Sequence, residues 1–214
     1  MTAGPLPRAA NPFSTRFVRP GAVGYLFPAG LKVDTLLENF PPGGARAQIV
    51  GPHGSGKSTL LTCLTGTLRS EGRTTCRFDL HDGQRSMPAG WAGQACHTGA
   101  DTIIVDGYEQ LSWWSRWQLS RVCRRHAWSL LVTAHADVGL PTLLRVAPTI
   151  DDAQVVVARL LTGTEPLVGP DDVAECFAAT GGNLRETLFA LYDRHERRAR
   201  SSNNAIVSST PQRR

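Results

Sequence analysis

The stretch QIVGPHGSGKSTLL, Gln48–Leu61, limits the architectures open to this chain more than any other. Gly51, Gly56, Lys57 and Ser58 meet the spacing G-x-x-x-x-G-K-[ST]. A loop of this kind wraps anionic oxygens in backbone N–H groups, because glycine puts no Cβ in the way. Lys57 is placed to reach the β- and γ-phosphates of a nucleoside triphosphate, and the Ser58 hydroxyl suits Mg²⁺. The expected phosphate cradle is the backbone of Gly51, Pro52, His53, Gly54, Ser55, Gly56, Lys57, Ser58 and Thr59. The apolar run Ala47–Val50 predicts a strand entering the loop, and Leu60, Leu61, Leu64 and Leu68 share one face of a helix leaving it. That helix N-terminus adds partial positive charge where phosphates would sit. The signal is specific, since Lys57 is one of only two lysines, with Lys32.

The chain has 214 residues and 41% hydrophobic content, enough for one α/β domain with or without a small helical appendage. No apolar run approaches the ~18 residues of a membrane span, and the N-terminal MTAGPLPRAANPF lacks the apolar core of a signal peptide. The five cysteines are scattered without a C-x-x-C pair, and the adjacent Cys96 and His97 read as loop. Reduced thiols and a cytoplasmic location are the expectation. The net charge of +5 is partly local, with Arg194, Arg197, Arg198, Arg200, Arg213 and Arg214 near the C-terminus. A solvated tail is the plain reading of that run, and a nucleic-acid contact is the alternative.

In chain order, residues 1–44 read as an irregular segment whose Phe13, Phe17, Val18, Tyr25, Leu26 and Phe27 need something to pack on. Either the sheet edge or the nucleotide site serves, with Phe17, Val18 and Arg19 beside the base in the second case. Val33–Asn39 predicts a short helix capped by Asp34. Arg73–Leu80 alternates as a strand, and Gly83–Gly99 supports no assignment. Thr102–Val105 is the short all-apolar run of a strand buried on both faces, and it ends at Asp106. Ser112 caps a helix over Trp113–His126, with Leu111, Trp114, Leu119 and Val122 expected on its buried face. Trp113 and Trp117 fall on the other face among arginines, to be covered by another part of the chain or by a partner. Ser129–His135 is a second buried strand, which brings Thr133 and His135 to the sheet edge where ligands of open α/β folds sit. A weaker strand over Leu143–Ile150 and three helices follow. The last two are marked by Pro170, Gly181 and the box-like pair Asn183 and Glu186. The expected division is an α/β core over 45–150 with a parallel sheet flanked by helices, a small C-terminal helical lid over 151–199, and a disordered basic tail over 200–214.

Three stretches carry a resemblance. GPHGSGKST is similar to the Walker A loop of P-loop NTPases of the additional-strand type, the group of AAA+ and STAND proteins. IIVDGYEQL resembles the Walker B strand of NACHT-like STAND proteins, and GGNLRETL resembles the second-sensor helix of AAA+ lids. The resemblance implies that Asp106 joins Ser58 at Mg²⁺, that LLVTAH sets Thr133 near the γ-phosphate, and that Arg185 approaches it from the lid. AAA+ enzymes carry Glu directly after the Walker B Asp, where this chain has Gly107. Glu109 is the nearest carboxylate and becomes the candidate for polarising the attacking water. No arginine finger is identifiable; Arg121, Arg124 and Arg125 qualify only if subunits assemble. GPHGSGKSTLLTCLTG also resembles transporter cassettes, but no Leu-Ser-Gly-Gly precedes Asp106 and the span from Lys57 is too short for their helical subdomain.

The leading expectation is therefore a Mg²⁺-dependent ATPase that binds ATP. The alternatives are a nucleotide-dependent switch with little hydrolysis, motivated by Gly107, and a small-molecule kinase, for which no acceptor-base motif is visible.

Overall fold

The computed structural model describes residues 11–19, 21–28, 30–162 and 166–208. Its elements begin with α1 (Thr15–Val18), α2 (Val33–Glu38), β1 (Arg46–Val50), α3 (Lys57–Ser70), β2 (Thr75–Asp79) and α4 (Trp91–His97). They continue with β3 (Thr102–Asp106), a 3₁₀ turn over Tyr108–Gln110, α5 (Trp113–Arg125), β4 (Ser129–Ala134) and β5 (Thr142–Arg145). Three helices close the chain: α6 (Ile150–Leu160), α7 (Pro170–Ala179) and α8 (Leu184–Ser208). No helix among the described residues is long and apolar enough to cross a membrane. Two compact units form, Gly24–Ala147 and a second made of Met1–Val23 with Pro148–Arg214.

The first unit is built on a parallel sheet of order β2-β3-β4-β1-β5. β4 lies between the strand that feeds the glycine loop and the strand that ends at Asp106, so it separates β1 from β3. Ile103, Ile104, Val105, Leu130, Leu131 and Val132 are fully buried, as expected where helices cover both faces of a parallel sheet. Alternation sends Ile49, Ile104 and Leu131 against α3, α2 and Phe40 on one face. Ile103, Val105, Leu130 and Val132 meet Leu119 and Cys123 of α5, with Trp91 and Trp128, on the other. Register brings Val50 level with Ala134, and Asp79 level with Asp106. The carboxyl ends of β1, β3 and β4 thus converge.

Several expectations need correction. Lys32, not Asp34, is the cap residue of α2, and Asp34 sits in the first turn, favourable to the helix dipole. Trp91–His97, for which the sequence supports no assignment, is helical. The fifth strand is shorter than Leu143–Ile150, because Thr149 starts α6 with a capping box to Asp152. Trp114 does not join the buried face of α5 but is 65% exposed. At ~100° per residue it lies about 140° around the helix from Leu119, and it shares a side with Trp117. α5 is otherwise as expected, with the Ser112 hydroxyl accepting from the Ser115 N–H at 3.3 Å.

In the second unit, α6, α7 and α8 pack together. α7 starts on Pro170, and Gly181 follows its end at φ 61°. The segment 1–44 is not one body. Gly24–Gly44 belongs to the sheet unit, with Leu36, Leu37 and Phe40 in its core. Residues 11–23 group with the helices. There the Asn11 amide donates to the Tyr192 carbonyl and to Glu196, both at 3.1 Å, and Phe13 packs edge-on against the His195 ring. Asp172 of α7 receives Arg194 and Arg198 of α8. Those bonds, the Arg198 one first, hold its carboxyl well below the usual range. The tail expected to be disordered from residue 200 is helical to Ser208, since no Gly or Pro falls between Leu184 and Ser208; residues 209–214 lie outside the described residues.

Candidate nucleotide site

Close packing fixes the loop between β1 and α3. A Cβ on Gly51 would stand 2.2 Å from the Val146 carbonyl oxygen, so only glycine lets the chain leave β1 here. Gly51 N–H donates to the Ala134 carbonyl, which ties the loop to the end of β4. Lys57, the first residue of α3, is 7% exposed and turns back into its own loop. Its ammonium donates to the carbonyls of Gly51 and Pro52 at 2.6 and 2.7 Å, and meets His135 Nδ1 at 3.2 Å. Burial lowers its pKa, while the charges of Glu109 and Asp106 oppose the shift. Pro52 and His53 are exposed; Gly54, Gly56, Ser58 and Thr59 are half-buried. The Ser55 hydroxyl is buried with no hydrogen-bond partner.

Asp106 ends β3 with both carboxylate oxygens engaged. The Thr133 hydroxyl donates to Oδ1, and Arg77 donates to Oδ2 at 3.0 Å. Thr133 is 1% exposed and also accepts from the Gly107 N–H at 3.0 Å, so its hydroxyl is committed on both sides. Gly107 follows at φ 83°, where an added Cβ would come 2.8 Å from the Leu80 carbonyl oxygen. A glutamate directly after Asp106 has no room. The left-handed turn instead leads into the 3₁₀ turn that carries Glu109.

Glu109 returns to the site through His135. Its Oε1 accepts from His135 Nε2 at 2.8 Å, while Oε2 is buried without a partner. Because the Lys57 ammonium can only donate, His135 Nδ1 accepts and Nε2 carries the hydrogen. The ring is neutral in this arrangement. Burial lowers its pKa, with Glu109 opposing and Lys57 and His53 adding to the shift. The His53 ring lies against it, tilted by 36° with centroids 3.4 Å apart. The Gln48 side chain, wholly buried in β1, bonds Asp137, Leu140, Thr142 and the Val138 N–H, which anchors the segment after His135.

The loop, Lys57, Asp106, Glu109 and Thr133 therefore come together at one sheet edge. Arg185 is exposed at the start of α8 in the other unit. Sequence reasoning assigned no role to two residues of this edge. His135 was visible only as a strand-end histidine. Arg77 carried a fainter signal: adjacent parallel strands end in Asp79 and Asp106, two like charges side by side that call for a cation. Arg77 supplies it, reaching Asp79 at 2.7 Å, Asp106 and the Thr62 hydroxyl.

The donor set suits a hard divalent cation that brings its own phosphate ligands. One carboxylate and one serine hydroxyl are what Mg²⁺ takes from a protein when the substrate provides the rest. No group of three His, Cys, Asp or Glu side chains that could hold a metal converges among the described residues.

Comparison with known proteins bears on the fold. No protein-family model matches the chain. A 50-residue stretch is 48% identical to the cobalt import ATP-binding protein CbiO of Rhodobacter capsulatus, covering 23% of this chain and 18% of that protein. Three solved structures share the fold. A DNA replication initiation factor superposes with a TM-score of 0.52 at 13% identity, over 80% of this chain and 63% of that one. AMPPCP-bound DnaA from Aquifex aeolicus gives 0.53 at 14% identity, over 86% and 69%. The replication initiator DnaA bound to AMPPCP and single-stranded DNA gives 0.51 at 15%, over 83% and 66%. The chain thus spans about two thirds of these neighbours' length. The fold, a parallel five-stranded sheet flanked by helices, is similar to that of DnaA and consistent with that of P-loop NTPases.

Proposed function

We propose that this protein is a Mg²⁺-dependent ATPase that hydrolyses ATP to ADP and phosphate. The observation that carries the reading is the convergence of Lys57, Asp106 and Glu109 at the carboxyl edge of one parallel sheet, beside a loop only glycine can form. AMPPCP in the DnaA structures and the ATP-binding relative support adenine as the base. Lys57 leaves its loop carbonyls for the phosphates, and the loop N–H groups hold them from below. Ser58 and Asp106 hold Mg²⁺, which when bound offsets charge on the phosphate oxygens. Thr133 keeps Asp106 oriented, acting through the carboxylate to which its hydroxyl is committed. Glu109 orients the attacking water. The protein acts in the cytoplasm in this reading.

The test is ATP binding and turnover by wild type and Lys57→Ala. Loss of affinity by about 100-fold or more is expected, from a charge-assisted contact to phosphate; equal affinity in both proteins sinks the assignment. One observation favours the second reading, a nucleotide-dependent switch. Glu109 is held by His135, so hydrolysis waits on a rearrangement. Single-turnover kinetics on Glu109→Gln separate the two, since a switch would show no measurable rate to lose. ADP with phosphate, rather than ADP with a phosphorylated acceptor, rules against a kinase. Stimulation of turnover by single-stranded DNA, weakening as salt rises, would extend the reading to nucleic-acid-linked work like that of its neighbour.

A further inference from the structure

The outer side of α5 carries what a folded surface ordinarily hides. Trp113, Trp114 and Trp117 are 71%, 65% and 46% exposed. An aromatic side chain offers ~150–250 Å², so three together reach the patch size that marks an interaction site. The same helix holds four arginines and no acidic residue. Trp114, Trp117, Arg121 and Arg124 follow one another at helical spacing, a stripe about 15 Å long that is aromatic at one end and cationic at the other. The Arg121 guanidinium lies over the Trp117 ring at 5.6 Å. At the aromatic end, the stripe opens into a groove of about 500 Å³ bordered by Trp113, Arg85, Arg116 and the turn Glu109–Ser112.

We propose that this stripe and groove dock an acidic segment of a partner protein, one that combines Asp or Glu with an aliphatic or aromatic anchor. Charge decides against a second copy of the chain packing the same face on itself, because Arg121, Arg124 and Arg125 would oppose their own counterparts. Ring geometry decides against nucleic acid. Bases stack on open π faces, but Trp114 meets Trp113 and Trp117 edge-to-face at 5.2 and 5.3 Å, and Arg121 covers Trp117. The three rings thus stand across one another, leaving gaps for an inserted side chain rather than a row of parallel faces for successive bases. Tryptophan and arginine are also the residues on which protein interfaces concentrate their binding energy.

The surface is joined to the nucleotide edge. Arg116 donates to the Glu109 carbonyl at 2.8 Å and to the Leu111 carbonyl at 2.9 Å. A partner carboxylate that draws on Arg116 therefore pulls on the peptide that presents Glu109 to His135. The docking claim is independent of the ATPase reading, and only this coupling rests on it.

The test uses the full chain without nucleotide. Random 12-residue peptides displayed on phage are selected on wild type and counter-selected on Trp114→Ala/Trp117→Ala. The enriched peptides are expected to combine Asp or Glu with Leu, Ile or Phe. The best one, made synthetically with a fluorophore, should bind about tenfold or more weaker to Trp114→Ala and to Arg121→Glu/Arg124→Glu. It should also weaken as salt rises from about 50 to about 500 mM. The substituted side chains are exposed, so circular dichroism should show the fold unchanged, and Trp117→Ala alone substitutes if the double variant melts early. The proposal is overturned if nothing enriches beyond the double variant, or if the enriched peptides lack acids. It is equally overturned by fluorescein-labelled dT20 binding that depends on the tryptophans, or by a dimer in sedimentation that their removal abolishes.

Discussion

His135→Ala tests the site most directly, because His135 touches both Lys57 and Glu109. The substitution removes the Nε2 hydrogen bond to Glu109 at 2.8 Å and the Nδ1 contact to Lys57 at 3.2 Å. Lys57 keeps two carbonyl partners, so its position should hold. Glu109 has no such reserve, since Oε2 is already without a partner and loss of the histidine strips Oε1 as well. A hydrogen bond to a charged group contributes about 1.5–3 kcal/mol. His135 and Glu109 side chains are 30% and 21% exposed, and water that enters the space left by the ring recovers part of that. A net loss of about 1.5–2 kcal/mol in holding Glu109 corresponds to roughly a 10- to 30-fold fall in kcat. Affinity for ATP should stay within about threefold, or tighten, because Lys57 has one partner fewer to leave. A fluorescent ATP analogue gives the affinity and phosphate release gives kcat. An unchanged kcat would refute the reasoning. So would a tenfold loss of affinity with kcat intact, which would set His135 against the nucleotide rather than against Glu109.

Three further outcomes follow from single contacts. Arg77→Ala frees Asp106 Oδ2, and the Mg²⁺ concentration that half-saturates binding of the ATP analogue should fall several-fold; an unchanged titration means that Arg77 has already left Asp106 in the loaded site. Gly107→Ala forces a side chain to φ 83° and against the Leu80 carbonyl. It should cost about 2–3 kcal/mol, or roughly 5–10 °C in melting temperature, with loss of hydrolysis. The histidines and Asp172 set the acid limit of stability. Burial lowers the pKa of His195 and of His135, so below ~6.5 the unfolded chain binds more protons and stability rises with pH through that window. His195→Phe should flatten part of that slope and leave the steeper loss below ~pH 4, where Asp172 surrenders the bonds to Arg198 and Arg194. Urea melts at half-unit pH steps measure both.

The loop and its two flanking elements were legible because three independent patterns coincide on one short stretch: glycine spacing, an apolar strand and a leucine stripe. Strands β3 and β4 were legible for the same reason, being uniformly apolar runs of the right length. The face of α5 was misread through Trp114, because hydrophobicity alone cannot separate a core side chain from one exposed for another purpose; angle around the helix can. The contacts among His135, Lys57 and Glu109 could not be read at all. They depend on how strand ends align across the sheet, which no local pattern encodes. In the sequence Gly107 stands only as a departure from the resemblance. Its reason lies in the Leu80 carbonyl opposite, a contact between residues far apart in the chain. The division of the N-terminal segment between two units was hidden likewise, since Phe13 and Phe40 look alike in sequence and find different helices.

The displacement of the carboxylate from position 107 to 109 has a mechanistic consequence. In this structure Lys57 is satisfied by its own loop and His135, and Asp106 by Thr133 and Arg77. Among the described residues the Glu109 carboxylate is held by His135. A triphosphate offers Lys57 far more charge than two carbonyls do, so Lys57 moves first. His135 Nδ1 then loses the Lys57 donor, while Nε2 still holds Glu109 Oε1. Glu109 Oε2, without a partner in this structure, is the oxygen left to take the attacking water. His135 thus positions the base while Lys57 turns to the phosphates. A double-mutant cycle decides whether His135 works in this way. If His135 acts through Glu109, His135→Ala should add little to the kcat loss of Glu109→Gln, so the combined effect falls well short of the sum in free energy. Additive losses would mean that the two side chains serve separate steps, and the positioning argument would fail with them.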